Sequence, residues 1–314
     1  MKKGVYDYFN KLENLGLQMK NNSFLSTDPN IIKFNHLNNR FHNVDYYKVG
    51  KTFGFAKYWD GVNSVFDMAS SKMYGDIGIL TPPIYLLTNP DKKGLTHHYG
   101  EYFTLTEDIH ILPKFRYASL LHDIPEFKKV SSTAYPRSDK WSILLDPLLR
   151  SRLLEFMTET CLEELISIYL ADTLRSETDR HTKNLFLYKT TPKGKYDGVI
   201  AIDNAMGAIC SHSDYTFNSF LFEPYVTMTV FDGMDRGSHG ARLKDIRSFI
   251  SDGDLTTSQI IILKNLLTYN FPKEIRNVCR KYKLNDKDYK DNLYDSVSKL
   301  WEFNHDNIGR ELGL

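Results

Sequence analysis

The chain lacks long apolar runs, paired cysteines and an excess of charge of either sign. Its least polar stretch, residues 77–90, is short and broken by Pro82 and Pro83. No segment approaches the ~20 apolar residues that cross a bilayer. Three cysteines, Cys161, Cys210 and Cys279, form an odd, scattered set without a CxxC pair. That excludes a disulfide framework and a cysteine zinc site, and it suits a reducing compartment. Forty Lys and Arg against thirty-nine Asp and Glu leave a formal charge of +1, so no global field favours nucleic acid or an acidic membrane. The opening residues, MKKGVYDYFNKLENLG, have two lysines but no apolar h-region, so no signal peptide is expected there. The expected location is the cytoplasm. Internal repeats and low-complexity tracts are missing too. His97-His98 has no companion ligands at metal spacing.

What the chain contains is a globular composition, 41% hydrophobic and 25% charged over 314 residues, enough for one large or two smaller domains. Val5, Phe9 and Leu12 predict an amphipathic helix over residues 5–17, followed by a loop over 21–30. Residues 46–49 and 53–58 predict two strands about Gly50-Lys51-Thr52. That tripeptide matches the end of a P-loop, but the motif's first glycine would fall on Asp45, in a hairpin context. A hairpin with Gly50, Thr52 and Gly54 lying over phosphates, as in kinases, and an ordinary β-turn account for the stretch equally well. Val62, Phe66, Ala69 and Met73 predict a helix over 61–74, ended by Gly75 and Gly78. Residues 84–87 and 102–105 are further strand candidates. From Pro113 the character turns helical. One buried helix is expected over 153–174, from Leu154, Met157, Cys161, Leu165 and Tyr169. Thr256-Thr-Ser-Gln259 is a capping box, Pro272 suits the start of the next helix, and residues 286–303 carry one more apolar stripe. Residues 215–231 are aromatic and β-branched, and 232–240 read as a loop.

The chemistry concentrates in residues 178–207, TDRHTKNLFLYKTTPKGKYDGVIAIDNAMG. Residues 185–188 and 199–202 are strand formers separated by turn residues. A hairpin folding about Lys193-Gly194 would set Leu185 opposite Ile202 and Asn184 opposite Asp203, with Asp179 on the loop just before. A proton acceptor beside two hard oxygen ligands is what Mg²⁺-dependent phosphoryl transfer requires. Asp179 would accept or orient the proton of an attacking hydroxyl, and Asn184 and Asp203 would ligate Mg²⁺. Lys57, in an apolar strand, would neutralise phosphate charge while held by Asp67 of the following helix. A solvent-facing lysine and a solvated aspartate account for that last pair equally well.

The combination of Asp179-Arg180-His181-Thr182-Lys183-Asn184 with Ile202-Asp203-Asn204, behind a buried helix, resembles the catalytic core of the HipA-like serine/threonine kinases. These are bacterial toxin-module kinases distantly related to the phosphoinositide 3/4-kinases, which share an Asp-Arg-His-x-x-Asn loop. Upstream, Phe55-Ala-Lys57, residues 67–79 and Pro82-Pro-Ile-Tyr85 resemble that family's lysine strand, helix and step into the next strand. The resemblance implies an α+β, two-lobed protein-kinase-like fold. Its small β-rich lobe with one helix would span residues 1–112, and its larger, mostly helical lobe 113–314. Asp179 would be the catalytic aspartate in a loop with Arg180 and His181, and Asn184 and Asp203 the metal ligands. Lys57, Asp67, Gly50, Thr52 and Gly54 would handle ATP. The implied cofactors are ATP and Mg²⁺, and the implied partners a protein substrate, translation machinery among the possibilities, and an antitoxin. The chain departs from the kinase pattern in having Asp67 where kinases generally use Glu, and Asp-Asn-Ala-Met-Gly where many have Asp-Phe-Gly.

Two other classes compete. Small-molecule kinases of the aminoglycoside- or choline-phosphotransferase type also use an Asp-x-His-x-x-Asn loop followed by Ile-Asp. They usually place His-Gly before the aspartate, where this chain has Glu177-Thr178. A phosphoinositide-type lipid kinase would want a basic membrane-facing tract, which is missing. The second class is a pseudokinase or binding module. The basic helix over 273–283 invites a helix-turn-helix reading, but a solvated helix face explains it better, so direct nucleic-acid contact is not expected.

Overall fold

Short runs of alternating apolar and polar residues build the first part of the molecule. The computed structural model describes residues 31–38, 43–49, 52–57, 61–88, 102–134, 147–175, 180, 182–204, 225–227, 241–242, 256–281, 298, 301–302, 305–306 and 309–310. Strands β1 (Ile31–Asn38), β2 (Asn43–Val49), β3 (Thr52–Lys57), β4 (Ile84–Thr88) and β5 (Tyr102–Glu107) form an antiparallel sheet in the order β1-β2-β3-β5-β4. Strand β1 was not anticipated. Its pairing with β2 slips between Lys33 and Asn35, and such a slip interrupts the period-2 pattern by which a strand is recognised. The β2–β3 hairpin appears where expected, with Val49 opposite Thr52.

Gly54 has a packing role in this sheet. It lies mid-strand in β3, opposite Glu107 of β5. A Cβ there would come within 2.6 Å of the Thr106 carbonyl oxygen, so only glycine permits the approach of the two backbones. Gly54, expected over phosphates, thus also meets a strand-packing requirement.

Helix α1 (Gly61–Asp76) joins β3 to β4 and packs on β4 and β5. It runs through Gly75 and stops at Gly78, whose φ is 91°. The Ile79 N–H bonds to the Tyr74 carbonyl (2.8 Å) and the Gly78 N–H to that of Gly75 (3.1 Å). This is a Schellman termination, which needs a left-handed residue at that one place. Val65, Phe66, Ala69, Met73 and Tyr74 are fully buried. The exposed Lys72 pairs with Asp76 one turn on.

Three single-turn 3-10 helices, Ile109–Ile111, Pro113–Phe115 and Leu121–Asp123, carry the chain past the short strand β6 (Ser119–Leu120) to helix α2 (Pro125–Ala134). The helix expected over 153–174 is two helices, α3 (Pro147–Leu153) and α4 (Glu159–Arg175). Met157 separates them because it bridges Tyr196. The Thr158 N–H bonds to the Tyr196 carbonyl, and the Tyr196 N–H to that of Phe156, each at 2.9 Å. The Thr158 hydroxyl then accepts from the Cys161 N–H (3.2 Å) and caps α4. Apolar spacing alone runs through this break.

Strands β7 (Leu185–Tyr188) and β8 (Gly198–Ala201) complete a three-stranded sheet β6-β7-β8, and β9 (Tyr225–Thr227) pairs with β10 (Ala241–Arg242). Helix α5 (Thr257–Thr268) begins with the expected box: the Gln259 N–H donates to the Thr256 hydroxyl and the Thr256 N–H to the Gln259 side chain. Pro272 sits in the first turn of α6 (Phe271–Lys281), behind an Asn270 side chain that accepts from the Lys273 N–H. Phe271, Ile275 and Val278 face inward, while Lys273, Arg276 and Arg280 are exposed. That is the solvated basic face expected of this helix.

Residues from α1, α2, α3, α4, β7, β8, α5 and α6 share one apolar core. Phe66 of α1 meets Phe271 of α6 edge-on at 5.4 Å. The fold is mixed α+β, with small antiparallel sheets and six helices among the described residues. No described helix is long and apolar enough to cross a membrane. The helix expected over 5–17, the loops over 21–30 and 232–240, most of the stretches 215–231 and 286–303, and His97-His98 lie outside the described residues.

Candidate active site

The candidate site is built at the open end of the β7–β8 hairpin. Leu185 pairs with Ala201, Phe186 with Ile200, Leu187 with Val199 and Tyr188 with Gly198. The expected register is therefore displaced by one: Asn184 faces Ile202, not Asp203. The cause lies at the closed end. A Cβ on Gly198 would meet the Tyr188 hydroxyl at 2.5 Å and a Glu164 carboxylate oxygen at 2.7 Å, so only glycine fits opposite Tyr188. Glu164 also accepts from the Val199 N–H (2.7 Å), which ties β8 to α4 in that alignment.

Past the paired strands, the Ile202 N–H donates to the Asn184 carbonyl (3.0 Å), and the chain then turns sharply. Asp203 has a φ of 55°, the sole positive value for a non-glycine among the described residues. Aspartate tolerates this left-handed conformation better than most residues, at a cost of ~1–2 kcal/mol. The turn takes Asp203 out of the alternation of β8, and it sends the next residue, Asn204, into full burial.

Arg180, the largest fully buried side chain among the described residues, ties this end together. Its Nε donates to Asp172 Oδ2 (2.8 Å) and its Nη2 to Asp172 Oδ1 (3.1 Å), a two-pronged ion pair with helix α4. Nη1 donates to the carbonyls of Ile202 (2.8 Å) and, at 3.4 Å, of Asn184. Nη2 also reaches Asn204 Oδ1 at 2.7 Å, and the Tyr74 hydroxyl at 3.4 Å. That hydroxyl donates in turn to Asp172 Oδ1. Burial pushes the guanidinium pKa down, but Asp172 and Tyr74 outweigh it and hold the group above its ordinary value. Arg180 is thus permanently charged and sealed from solvent. Expected as a member of the catalytic loop, it touches the backbone of that loop and of the Asp203 turn and has no surface to offer a substrate.

Helix α1 supplies the other wall. Asp67, Ser71 and Tyr74 are one and two turns apart and share a stripe of the helix. All three are at least nine-tenths buried. Asp67 Oδ1 accepts from the Asn204 backbone N–H (3.1 Å), and the Ser71 hydroxyl accepts from Asn204 Nδ2 (3.0 Å). Asp67, expected to hold Lys57, whose side chain lies outside the described residues, holds the turn that carries Asp203. Ser71, Tyr74 and Asp172 were not singled out in advance, and Asn204 was noted only as part of the Ile202-Asp203-Asn204 motif. Their spacing of 133 residues between Ser71 and Asn204 and 98 between Tyr74 and Asp172 leaves no local signal, although an interrupted apolar stripe on two buried helices is a trace of it.

Beside Asn184 and Asp203 runs an apolar floor. Ile109, Phe115, Tyr188 and Ile200 are buried together, with Leu80, Leu112, Phe186 and Ile202 half-buried against them. Asp108 starts the segment above it by accepting from the His110 N–H (2.9 Å) and facing the His110 ring at 3.1 Å. That ring meets Phe186 edge-on. His122 approaches the Thr182 hydroxyl at 3.3 Å.

As a donor set, Asn184 and Asp203 offer one amide and one carboxylate oxygen, hard ligands of the kind Mg²⁺ takes. Among the described residues no group of three or more His, Cys, Asp or Glu converges as a metal centre. Asp179, His181, Gly50 and the side chains of Lys57 and Thr52 lie outside the described residues. Thr52 is placed by its backbone alone, at the start of β3, and Lys57 at its end, opposite Thr104.

No family model matches the chain, and no curated protein matches its sequence. Among solved structures, the crystal structure of a Helicobacter pylori proinflammatory kinase, CtkA, is similar. The two share 12% sequence identity at a TM-score of 0.51, over 90% of this chain and 95% of that one. The fold is kinase-like.

Proposed function

We propose that the chain is a two-lobed, ATP- and Mg²⁺-dependent phosphotransferase of the HipA-like type, acting on serine or threonine hydroxyls of protein substrates. The observation that carries this reading is the grip of Arg180 on both strand ends. Its neighbour Asp179 is the catalytic aspartate, and the two backbones that Arg180 holds belong to Asn184 and to the residue before Asp203. Proton acceptor and metal ligands are thus borne on segments joined through one side chain. The kinase-like fold supports the same reading.

Phosphoryl transfer depends on positioning and charge neutralisation more than on covalent chemistry. Bound Mg²⁺ would supply neutralisation of the β- and γ-phosphate oxygens. Asn184 and Asp203 would hold it through their side-chain oxygens, and the left-handed turn at Asp203 fixes where that carboxylate begins. Arg180 positions without touching substrate. The half-exposed Phe186 and Ile202 with Leu80 and Leu112 form an apolar surface for the flat face of a purine. Lys57 neutralises phosphate charge from β3.

The test is ATP binding and phosphate transfer by the full chain, compared with Asp179→Ala and Asp203→Ala. Each variant should lose at least about 10²-fold in turnover while keeping its cooperative melt. A wild type that neither binds Mg²⁺·ATP nor turns it over ends the reading, and binding without turnover assigns the chain to the pseudokinases. Offering seryl and threonyl proteins beside sugars and amino alcohols as acceptors separates a protein kinase from a small-molecule one.

A further inference from the structure

The residue after the proposed metal ligand is polar, fully buried and bonded on three sides. Asn204 donates its backbone N–H to Asp67 and its side-chain N–H to Ser71, both on helix α1, and accepts from Arg180. On the other side of Asp203, the Ile202 carbonyl accepts from the same Arg180. The left-handed residue is therefore clamped from both flanks, and the clamp has two anchors: the buried ion pair Arg180–Asp172 and the polar stripe of α1. A non-glycine residue at φ 55° relaxes to extended backbone unless its surroundings over-determine it. The three bonds of Asn204 are what over-determine it here. An apolar residue at this place would pack, but it would leave Arg180 Nη2 and Ser71 with one partner fewer and would free the turn to swing.

We infer that Asn204 is a positioning residue that locks the Asp203 carboxylate in its metal-binding conformation and couples metal affinity to the seating of helix α1. The inference rests on Asp203 being a metal ligand, as proposed above. Asn204 itself makes no contact with the ion. It acts as an outer partner of a ligand, and loss of such partners commonly weakens metal binding by about 10- to 100-fold. Ser71 contributes one ordinary hydrogen bond to the lock, worth about a fivefold change.

The experiment is Mn²⁺ binding by the full chain in the presence of a non-hydrolysable ATP analogue, followed by electron paramagnetic resonance, with thermal melts in parallel. Wild type is compared with Asn204→Leu, Ser71→Ala and Asp203→Ala. The expected result is loss of the protein-bound Mn²⁺ signal in Asp203→Ala. Binding should weaken about 10- to 100-fold in Asn204→Leu and about fivefold in Ser71→Ala, with analogue affinity in the absence of metal unchanged in these two. A folded Asn204→Leu that binds Mn²⁺ as tightly as wild type overturns the lock while leaving the phosphotransferase reading intact. Should Asn204→Leu fail to fold, Ser71→Ala decides: unchanged Mn²⁺ affinity sinks the proposal. Failure of wild type itself to bind Mn²⁺ with the analogue removes the metal site, and with it both readings.

Discussion

The two ends of the β7–β8 hairpin are held by different physics. At the closed end, residues 189–197 form a mostly exposed turn, and most of their bonds are local. Asp197 Oδ2 accepts from the Thr190 N–H and hydroxyl, and the Asp197 N–H closes on the Tyr188 carbonyl. At the open end most partners are remote: Ser71 lies 133 residues from Asn204 and Asp67 lies 137. Arg180, Ser71 and Asp67 bond residues 184 and 202–204, while Asp172 and Tyr74, from helices α4 and α1, hold Arg180 in turn, and most of the five are fully buried. The closed end sets register, and the open end carries the proposed site. A surface turn can lose a bond to water at little cost, whereas a buried charge that loses its partner is left in a medium that cannot solvate it.

The contrast predicts its largest effect at Arg180. Replacement by Met strands Asp172 in the core and should lower unfolding free energy by about 3–5 kcal/mol, read from urea midpoints. Arg180→Met combined with Asp172→Leu should recover much of that stability yet leave phosphate transfer absent. A single variant that costs under about 1 kcal/mol would show that the ion pair is not a keystone.

Next in size is Gly198→Ala. Its Cβ has no room between Tyr188 and Glu164, and overpacking of this kind costs about 1–3 kcal/mol. The paired Tyr188→Phe, Gly198→Ala chain should regain part of that by removing the hydroxyl. If Gly198→Ala is neutral, the register is set elsewhere.

A pH dependence follows from Cys161, which lies beneath the closed end. Burial first, and then the carboxylates of Glu164 and Asp197, raise its thiol above the ordinary 9.0. Because the folded value is the higher one, this contribution to stability is fully present below pH 9.0. It is lost as pH rises, since the unfolded chain ionises first. Denaturation at pH 8 and at pH 10 should therefore show a fall of up to about 1.4 kcal/mol per pH unit from this group. Cys161→Ala should flatten the slope; an unchanged slope would place its cause in other groups, Tyr188 among them, which burial also raises.

The smallest effect belongs to Asp197→Ala, about 0.5–1 kcal/mol, with Mg²⁺·ATP binding unaltered. A loss as large as that of Arg180→Met would erase the distinction between the ends.

The difference also explains what could be foreseen. Strands β2, β3, β4, β5, β7 and β8 show period-2 or apolar runs between turn residues. The capping box at Thr256 and the stop at Gly78 are local devices, and those were legible. Strand β1 hid behind its register slip, and the break at Met157 was set by Tyr196, 39 residues away. At the site, Asn184 and Asp203 were picked out by residue type and spacing. Their alignment was misjudged by one, because the decisive contact, Glu164 against β8, comes from another helix. Arg180 was recognised as part of a motif, but its burial depends on where Asp172 and Tyr74 lie.

The sequence by itself determined the existence of the hairpin, the chemical types at its open end and the amphipathic helices. Each follows from composition or from contacts within about one turn of the chain. Only the tertiary structure decided that Arg180 is an anchor, that Gly54 and Gly198 are packing glycines, and that Asn204 binds the Asp203 turn to helix α1. Those outcomes depend on which desolvated groups meet across the core. No local pattern encodes that meeting, because a buried polar group is defined by the partner it finds.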